Sequence, residues 1–321
     1  MPPSALVLTG IVSVQLGAGL ATRLFGQVAP AAVTGLRLWS AAALLAVFSA
    51  SGLARTLRAI ARERAWRDAA VVVAFGVTLG IMNYSIYQSF ARIPLGIAVT
   101  IEFLGPLAVA VAASRRLIDL LWVALAGAGV ALLSDGGASR APGAGGPHGG
   151  AGLAASGVAF ALVAAAAWAA YILLSASTGR RFSGSSGLVI AMLVAALAVT
   201  PAALSAARGA LGRPAVLATG AAIGLLSSVI PYRFELEALR RIPAAVFGIW
   251  MSLEPAVAAL VGLVLLGQAL GVGEWAAIGC VMVACAGAAR GSAARDRSAP
   301  DGRPACQPEP SDPTMGPCPP I

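Results

Sequence analysis

The sequence predicts an all-α polytopic membrane protein with ten transmembrane helices in two inverted five-helix repeats. Three observations carry that prediction. The chain of 321 residues is 59% hydrophobic and only 11% charged, against about 25% charged for an ordinary soluble domain. Its apolar runs recur at the length, about 17 to 25 residues, that a helix needs to cross a hydrocarbon core about 30 Å thick. A Gly-rich stretch, "DGGASRAPGAGGPHGG" at 135–150, divides the runs five and five, and each half carries R-I-P, nine residues, then L-x-P, starting at 92 and at 241.

The first run, 5–22, follows an N-terminus without the basic region of a secretory signal, so it reads as a retained span. The second, 30–50, holds Arg37 about 10 Å below its outer end at 1.5 Å per residue. The third, 69–90, carries "GVTLG" at 76, a spacing suited to close helix packing. It also carries "NYSIYQ", which sets Asn83, Tyr84, Tyr87 and Gln88 within about 140° of arc. That stripe suits a cavity for a zwitterionic or hydroxylated solute, and tyrosines near a span end equally suit interfacial anchoring.

The fourth run, 95–114, contains "IEFLGP". A charge near the centre of a spanning helix costs on the order of 3 kcal/mol, and Pro106 has no N–H for the carbonyl of residue 102. Glu102 therefore presents a carboxylate and a freed backbone acceptor at one level. These make sense together as the wall of a water-reachable site, and Arg37, at similar depth, offers an ion-pair alternative. The fifth run is 117–134. In the sixth, 152–174, Trp168 and Tyr171 lie one turn apart, as cavity wall or as packing. The seventh is 186–205.

The eighth run, 215–236, carries a second small-residue pair, "GAAIG" at 220, and is bent by Pro231, with Arg233, Glu235 and Glu237 near its end. Glu237 reads as a solvated helix terminus and Glu235 as a further candidate site acid. The ninth, 244–267, sets Glu254 beside Pro255, which frees the carbonyl of Met251. The tenth, 273–289, contains Cys280 and Cys285 as packing residues. Trp66, Trp122 and Trp275 at run ends read as interface anchors.

These runs give four segments: a first repeat over 1–134, a linker over 135–150, a second repeat over 151–289 and a disordered Pro-rich tail over 290–321. Because five is odd, the second copy enters the membrane upside down relative to the first. Basic residues set the orientation. Arg55, Arg58, Arg62, Arg64, Arg67, the pairs at 115, 180 and 240, and the tail arginines outnumber Arg23, Arg92, Arg140, Arg208 and Arg213 by three to one. Both termini are thus expected in the cytoplasm, with the chain in the inner (plasma) membrane.

Several chemistries are excluded. Every basic residue is Arg, so there is no GxxxxGK[ST] phosphate loop and no Schiff-base lysine. The one histidine, His148, lies in the Gly-rich stretch, which removes His-rich zinc sites. Cys306 and Cys318 fall in the tail, and no disulfide framework is implied. The arginines are scattered between apolar runs and form no stripe for nucleic acid. No cofactor and no metal are expected. The partners implied are a small-molecule solute, protons and the lipid bilayer. An intramembrane enzyme would need a constellation such as GxSxG or HExxH, which the sequence lacks, and a non-transporting sensor or scaffold acting through the tail is the other rival.

"TIEFLGPLAVA" and "PYRFELEALRRIPAAVFGIWMSLEPAVAALVGLVLLGQAL" together resemble the threonine and homoserine exporter group of the drug/metabolite transporter superfamily, EamA type. The likeness extends from about residue 5 to 289. It implies export of small amino acids or related metabolites through a central cavity between inverted halves, coupled to the proton gradient, with broad drug or metabolite efflux as the nearest alternative. By position, the E-F-L-G-P glutamate falls on Glu102, the S-L-E-P glutamate on Glu254, and the glutamate after P-Y-x-x on Glu235. Arg233 inside that last motif, the Gly-rich linker and the tail are departures from the group.

Overall fold

Helices form along the apolar runs, and proline decides where several begin or break. The computed structural model describes residues 1–63, 66–114, 118–136, 154–181, 186–207 and 209–298. In the first half α1 spans Pro3–Leu24, α2 Pro30–Glu63 and α3 Trp66–Phe90; the fourth run is divided into α4 (Leu95–Glu102) and α5 (Leu104–Ala112), and α6 covers Ile118–Gly136. In the second half α7 spans Ala155–Arg181 and α8 Ser186–Ala207. The next run is divided into α9 (Pro214–Gly224), a π-helical turn at Leu225–Val229 and α10 (Ile230–Leu239). The last elements are α11 (Ala244–Met251), α12 (Glu254–Leu266) and α13 (Val272–Ser298). No strand occurs among the described residues.

Nine helical segments among the described residues are long and apolar enough to cross a membrane. The fifth predicted span, Ile118–Leu132, is a shorter apolar helix. Several boundaries differ from the sequence reading, and α7, expected to end at 174, runs to Arg181. Helix α2 continues to Glu63, through the stretch expected as a basic loop, because "LARTLRAIARE" contains neither Gly nor Pro and is rich in helix-forming Ala, Leu and Arg. Helix α13 continues to Ser298, past the expected start of the tail at 290, because the first proline after Pro255 is Pro300. His148 and the rest of the Gly-rich linker beyond residue 136 lie outside the described residues. So do Cys306, Cys318 and the tail from 299.

The strongest packing partners join the two halves: α3 with α7, α2 with α8, α6 with α13, α3 with α8, α1 with α10 and α4 with α12. Lipid gives helices no hydrophobic reason to associate, so close backbone approach between small residues has to supply the contact. At Gly105 on α5, an added Cβ would lie 2.2 Å from the Ala165 carbonyl oxygen of α7. The two small-residue pairs flagged in the sequence both lie at such seams: a Cβ on Gly76 would meet Val194 at 2.5 Å, and one on Gly220 would meet Leu36 at 2.9 Å. Leu95, Ile97 and Ile101 of α4 are fully buried at the centre, whereas Leu173, Leu204 and Val264 are more than half exposed on the outside. An apolar exterior around a core threaded with polar groups is the reverse of a soluble fold, and it matches a bilayer as solvent.

Candidate functional site

Three proline-containing breaks position the polar side chains. Helix α4 stops at Glu102 and α5 resumes at Leu104, with Phe103 at φ −64° and ψ −12° between them. Helix α11 stops at Met251 and α12 starts at Glu254, with Pro255 in its first turn. Glu254 thus lies in the first turn of α12, near the positive end of its dipole, a favourable place for a carboxylate. The third break precedes Pro231. Its missing N–H removes one helical donor from the carbonyls of the preceding π turn. Side chains from the other half take them: Ser13 Oγ donates to the Leu226 carbonyl at 2.7 Å, and Arg37 Nη2 to the Ser227 carbonyl at 3.1 Å.

These breaks border one cavity of about 290 Å³. Of the residues singled out in the sequence, Glu102, Glu254, Glu235, Arg37, Asn83, Tyr87, Trp168 and Tyr171 line it. Arg37 Nη1 donates to Asn83 Oδ1, and the guanidinium lies 5.4 Å from the centre of the Tyr87 ring. Asn83 is oriented in turn by its Nδ2, which donates to the Leu79 carbonyl at 2.8 Å. Among the described residues no ion pair joins Arg37 to Glu102; the guanidinium donates instead to the neutral oxygens of Asn83 and the Ser227 carbonyl. The two side chains do lie within electrostatic reach of each other, as do Glu102 and Glu254, and Glu254 and Glu235.

The aromatic residues brace the walls. Trp168 meets Phe103, at the α4–α5 break, edge to face with ring centres 4.9 Å apart, and Tyr171 meets Phe75 at 5.1 Å. Tyr84 and Gln88 do not border the cavity. Tyr84 packs against the α2–α8 core, and Gln88 is buried with its Oε1 accepting from Arg92 Nη1 at 2.8 Å. Arg233 is exposed and also stands outside the cavity wall. Glu237 pairs with Arg241 at the helix end.

The sequence reading missed Gln15, Ser227 and Tyr232, all of which line the cavity. Gln15 is 2% exposed, and its Nε2 donates to Glu254 Oε1 at 2.8 Å across a sequence separation of 239 residues. Its signal was present: Gln15 is the one amide in the apolar run 5–22, and a buried polar side chain in a span needs a partner.

The profile described as "EamA-like transporter family" matches residues 155–290. The threonine/homoserine exporter RhtA of Escherichia coli (strain K12) is 38% identical over 285 residues, 89% of this chain and 90% of that protein. The chain belongs to the EamA-like transporter family. The threonine/homoserine exporter RhtA of Salmonella typhimurium (strain LT2) is 37% identical over 268 residues, 84% of each chain. A crystal structure of 20% identity aligns over 92% of this chain and 99% of its own with a TM-score of 0.57, a likeness of fold alone. As an EamA-like transporter the chain is a polytopic membrane protein and not an enzyme.

Proposed function

We propose that this EamA-like transporter exports small amino acids such as threonine or homoserine from the cytoplasm, by proton antiport with alternating access. One observation carries the reading: a single guanidinium, Arg37, and three carboxylates, Glu102, Glu254 and Glu235, border the same small cavity at the breaks of three helices. A zwitterion needs one site of each sign, and the surplus acids can hold a proton. The name of the RhtA relatives supplies the solute class. About 290 Å³ lies at the low end of ligand cavities, which run from about 300 to 1,000 Å³, and this favours a small solute over a bulky drug.

In this reading the chain lies in the inner membrane with both termini in the cytoplasm, as the distribution of arginines supports. The halves are inverted repeats. Exchanging each span for its counterpart turns the α3–α7 contact into that of α1 with α9 and α10, and returns α2–α8, α6–α13 and α4–α12 to themselves, a pattern that supports a two-fold axis in the membrane plane. Rocking one half against the other exposes the cavity to each side in turn. Arg37 holds the solute carboxylate, and Glu102, with Glu254 or Glu235, exchanges the proton.

Inside-out vesicles with an acidic lumen test this. Wild type accumulates labelled threonine as protons leave, and Glu102→Gln abolishes the gradient-driven part. Undiminished accumulation in Glu102→Gln removes the proton role from Glu102.

A further inference from the structure

We infer that the cavity holds an α-amino acid in one orientation, with its carboxylate toward Arg37 and Tyr87 and its ammonium toward Gln15 and Glu254, and that Gln15 is a direct ligand of the ammonium. The inference rests on the amino-acid reading above and assigns the two poles within it.

Buried polar side-chain atoms normally have a hydrogen-bond partner, and within a membrane water does not freely supply one. Yet Gln15 Oε1, Arg37 Nε and Tyr87 Oη are all buried, bond to nothing in the protein, and belong to residues that border this one cavity. Gln15 is 2% exposed and Tyr87 1%. Three orphaned atoms around one space point to a single missing partner.

Their chemistry sorts them into two poles. On the Arg37 side both can donate. Arg37 spends Nη1 on Asn83 and Nη2 on the Ser227 carbonyl, which fixes the guanidinium plane and leaves the Nε–H edge available. Tyr87 has its ring beneath the guanidinium. A carboxylate accepts from such a set.

The other pole accepts. The Gln15 amide nitrogen is committed to Glu254 Oε1 at 2.8 Å, so its carbonyl oxygen is the free group. An amide oxygen beside a carboxylate suits a cation with several N–H donors, and a primary ammonium has three. A 2-hydroxy acid of the same shape has one O–H there and leaves the Gln15–Glu254 pole under-satisfied.

Purified full-length protein in proteoliposomes provides the test, with labelled threonine as solute and its 2-hydroxy analogue, 2,3-dihydroxybutyrate, and its methyl ester as competitors. Wild type should prefer threonine to both analogues by at least about tenfold, since a site built to hydrogen-bond a group rejects analogues lacking it. Gln15→Leu should raise the half-saturating threonine concentration by about tenfold or more while changing competition by the 2-hydroxy acid little. Gln15→Glu, which restores an acceptor, should recover the preference for threonine.

An equal loss for both solutes in Gln15→Leu makes Gln15 a prop for Glu254 and overturns the inference, as does unchanged preference. Should Gln15→Leu fail to fold, wild type still decides: a 2-hydroxy acid that competes as well as threonine overturns the assignment. Absence of any α-amino-acid transport by wild type overturns the amino-acid reading itself, a result distinct from the others.

Discussion

Arg37 shows why residue type, and not charge alone, matters at this site. Its guanidinium bridges Asn83 on α3 and the Ser227 carbonyl in the second half, so one side chain ties three elements through two nitrogens. A lysine ammonium is a compact point charge and cannot span both acceptors in one plane. Arg37→Lys is expected to lower threonine transport in proteoliposomes by about tenfold or more, the loss of roughly one charged hydrogen bond at about 1.5–3 kcal/mol. Detergent melting should still show a folded protein, and wild-type transport in the variant would remove the bridging role. The stripe containing Asn83 also shows what sequence could and could not give at this scale. Residues 83 and 87 lie about 40° apart around a helix, whereas 84 and 88 lie about 100° and 140° from 83. The cavity takes only the narrow part of that arc, and the neighbouring helices claim the rest, a choice that no period within one helix encodes. Gln15 was obscured for a related reason: its partner Glu254 is 239 residues away, and nothing local in the first span names it.

At the scale of elements, the breaks at Glu102 and Glu254 were legible because proline's missing N–H is a local fact, as were the small-residue seams at Gly76 and Gly220. The π turn at Leu225–Val229 was not legible. Pro231 predicts a bend, but the extra residue per turn is stabilised by Ser13 and Arg37 arriving from the other half. Helix ends at Glu63 and Ser298 were misplaced because basic, Ala-rich segments continue a helix without being apolar enough to span. The seams also separate two glycines of similar appearance. A Cβ on Gly105 would sit 2.2 Å from the Ala165 carbonyl oxygen, and a backbone oxygen cannot swing aside as a side chain can, whereas a Cβ on Gly127 in α6 would meet nothing within 4 Å. Gly105→Ala should therefore lower stability by about 1–3 kcal/mol or more, the usual range for overpacking. Gly127→Ala should be neutral, or stabilising by up to about 1 kcal/mol through helix propensity. Thermal unfolding in matched detergent distinguishes them, and equal melting of the two variants would mean that α5 and α7 separate more easily than their contact indicates.

For the whole molecule, the consequence of the packing is a difference between its two ends. At the end predicted to face away from the cytoplasm, Arg23 of α1 donates from Nε and Nη2 to the Leu265 carbonyl near the end of α12, at 2.9 and 2.6 Å. Gln268, just beyond α12, accepts from the Leu95 amide at the start of α4 at 2.9 Å. The rings of Phe25, Tyr87 and Phe90 pack together at the same level, with centroid distances of 6.1 and 5.7 Å. The cavity instead extends toward the opposite end, where Leu45, Leu188, Tyr232 and Glu235 line it. The proposed alternating access requires the tied end to part, and the ties join α1 and α4 of the first half to α12 of the second, so they resist that motion directly. A neutral hydrogen bond contributes about 1 kcal/mol net, and the exposed hydrogen bonds of Arg23, discounted for solvent screening, about as much. Losing both at about 2 kcal/mol shifts a two-state equilibrium roughly thirtyfold toward the outward-open form. The combined variant Arg23→Ala with Gln268→Leu can be read through Ala18→Cys, a buried cavity position, in a background without the native cysteines. Labelling by a membrane-impermeant maleimide from the face opposite the cytoplasm should then accelerate by about tenfold or more relative to Ala18→Cys alone. Unchanged labelling, with transport intact, would mean that these contacts hold helix ends in place without governing access to the cavity.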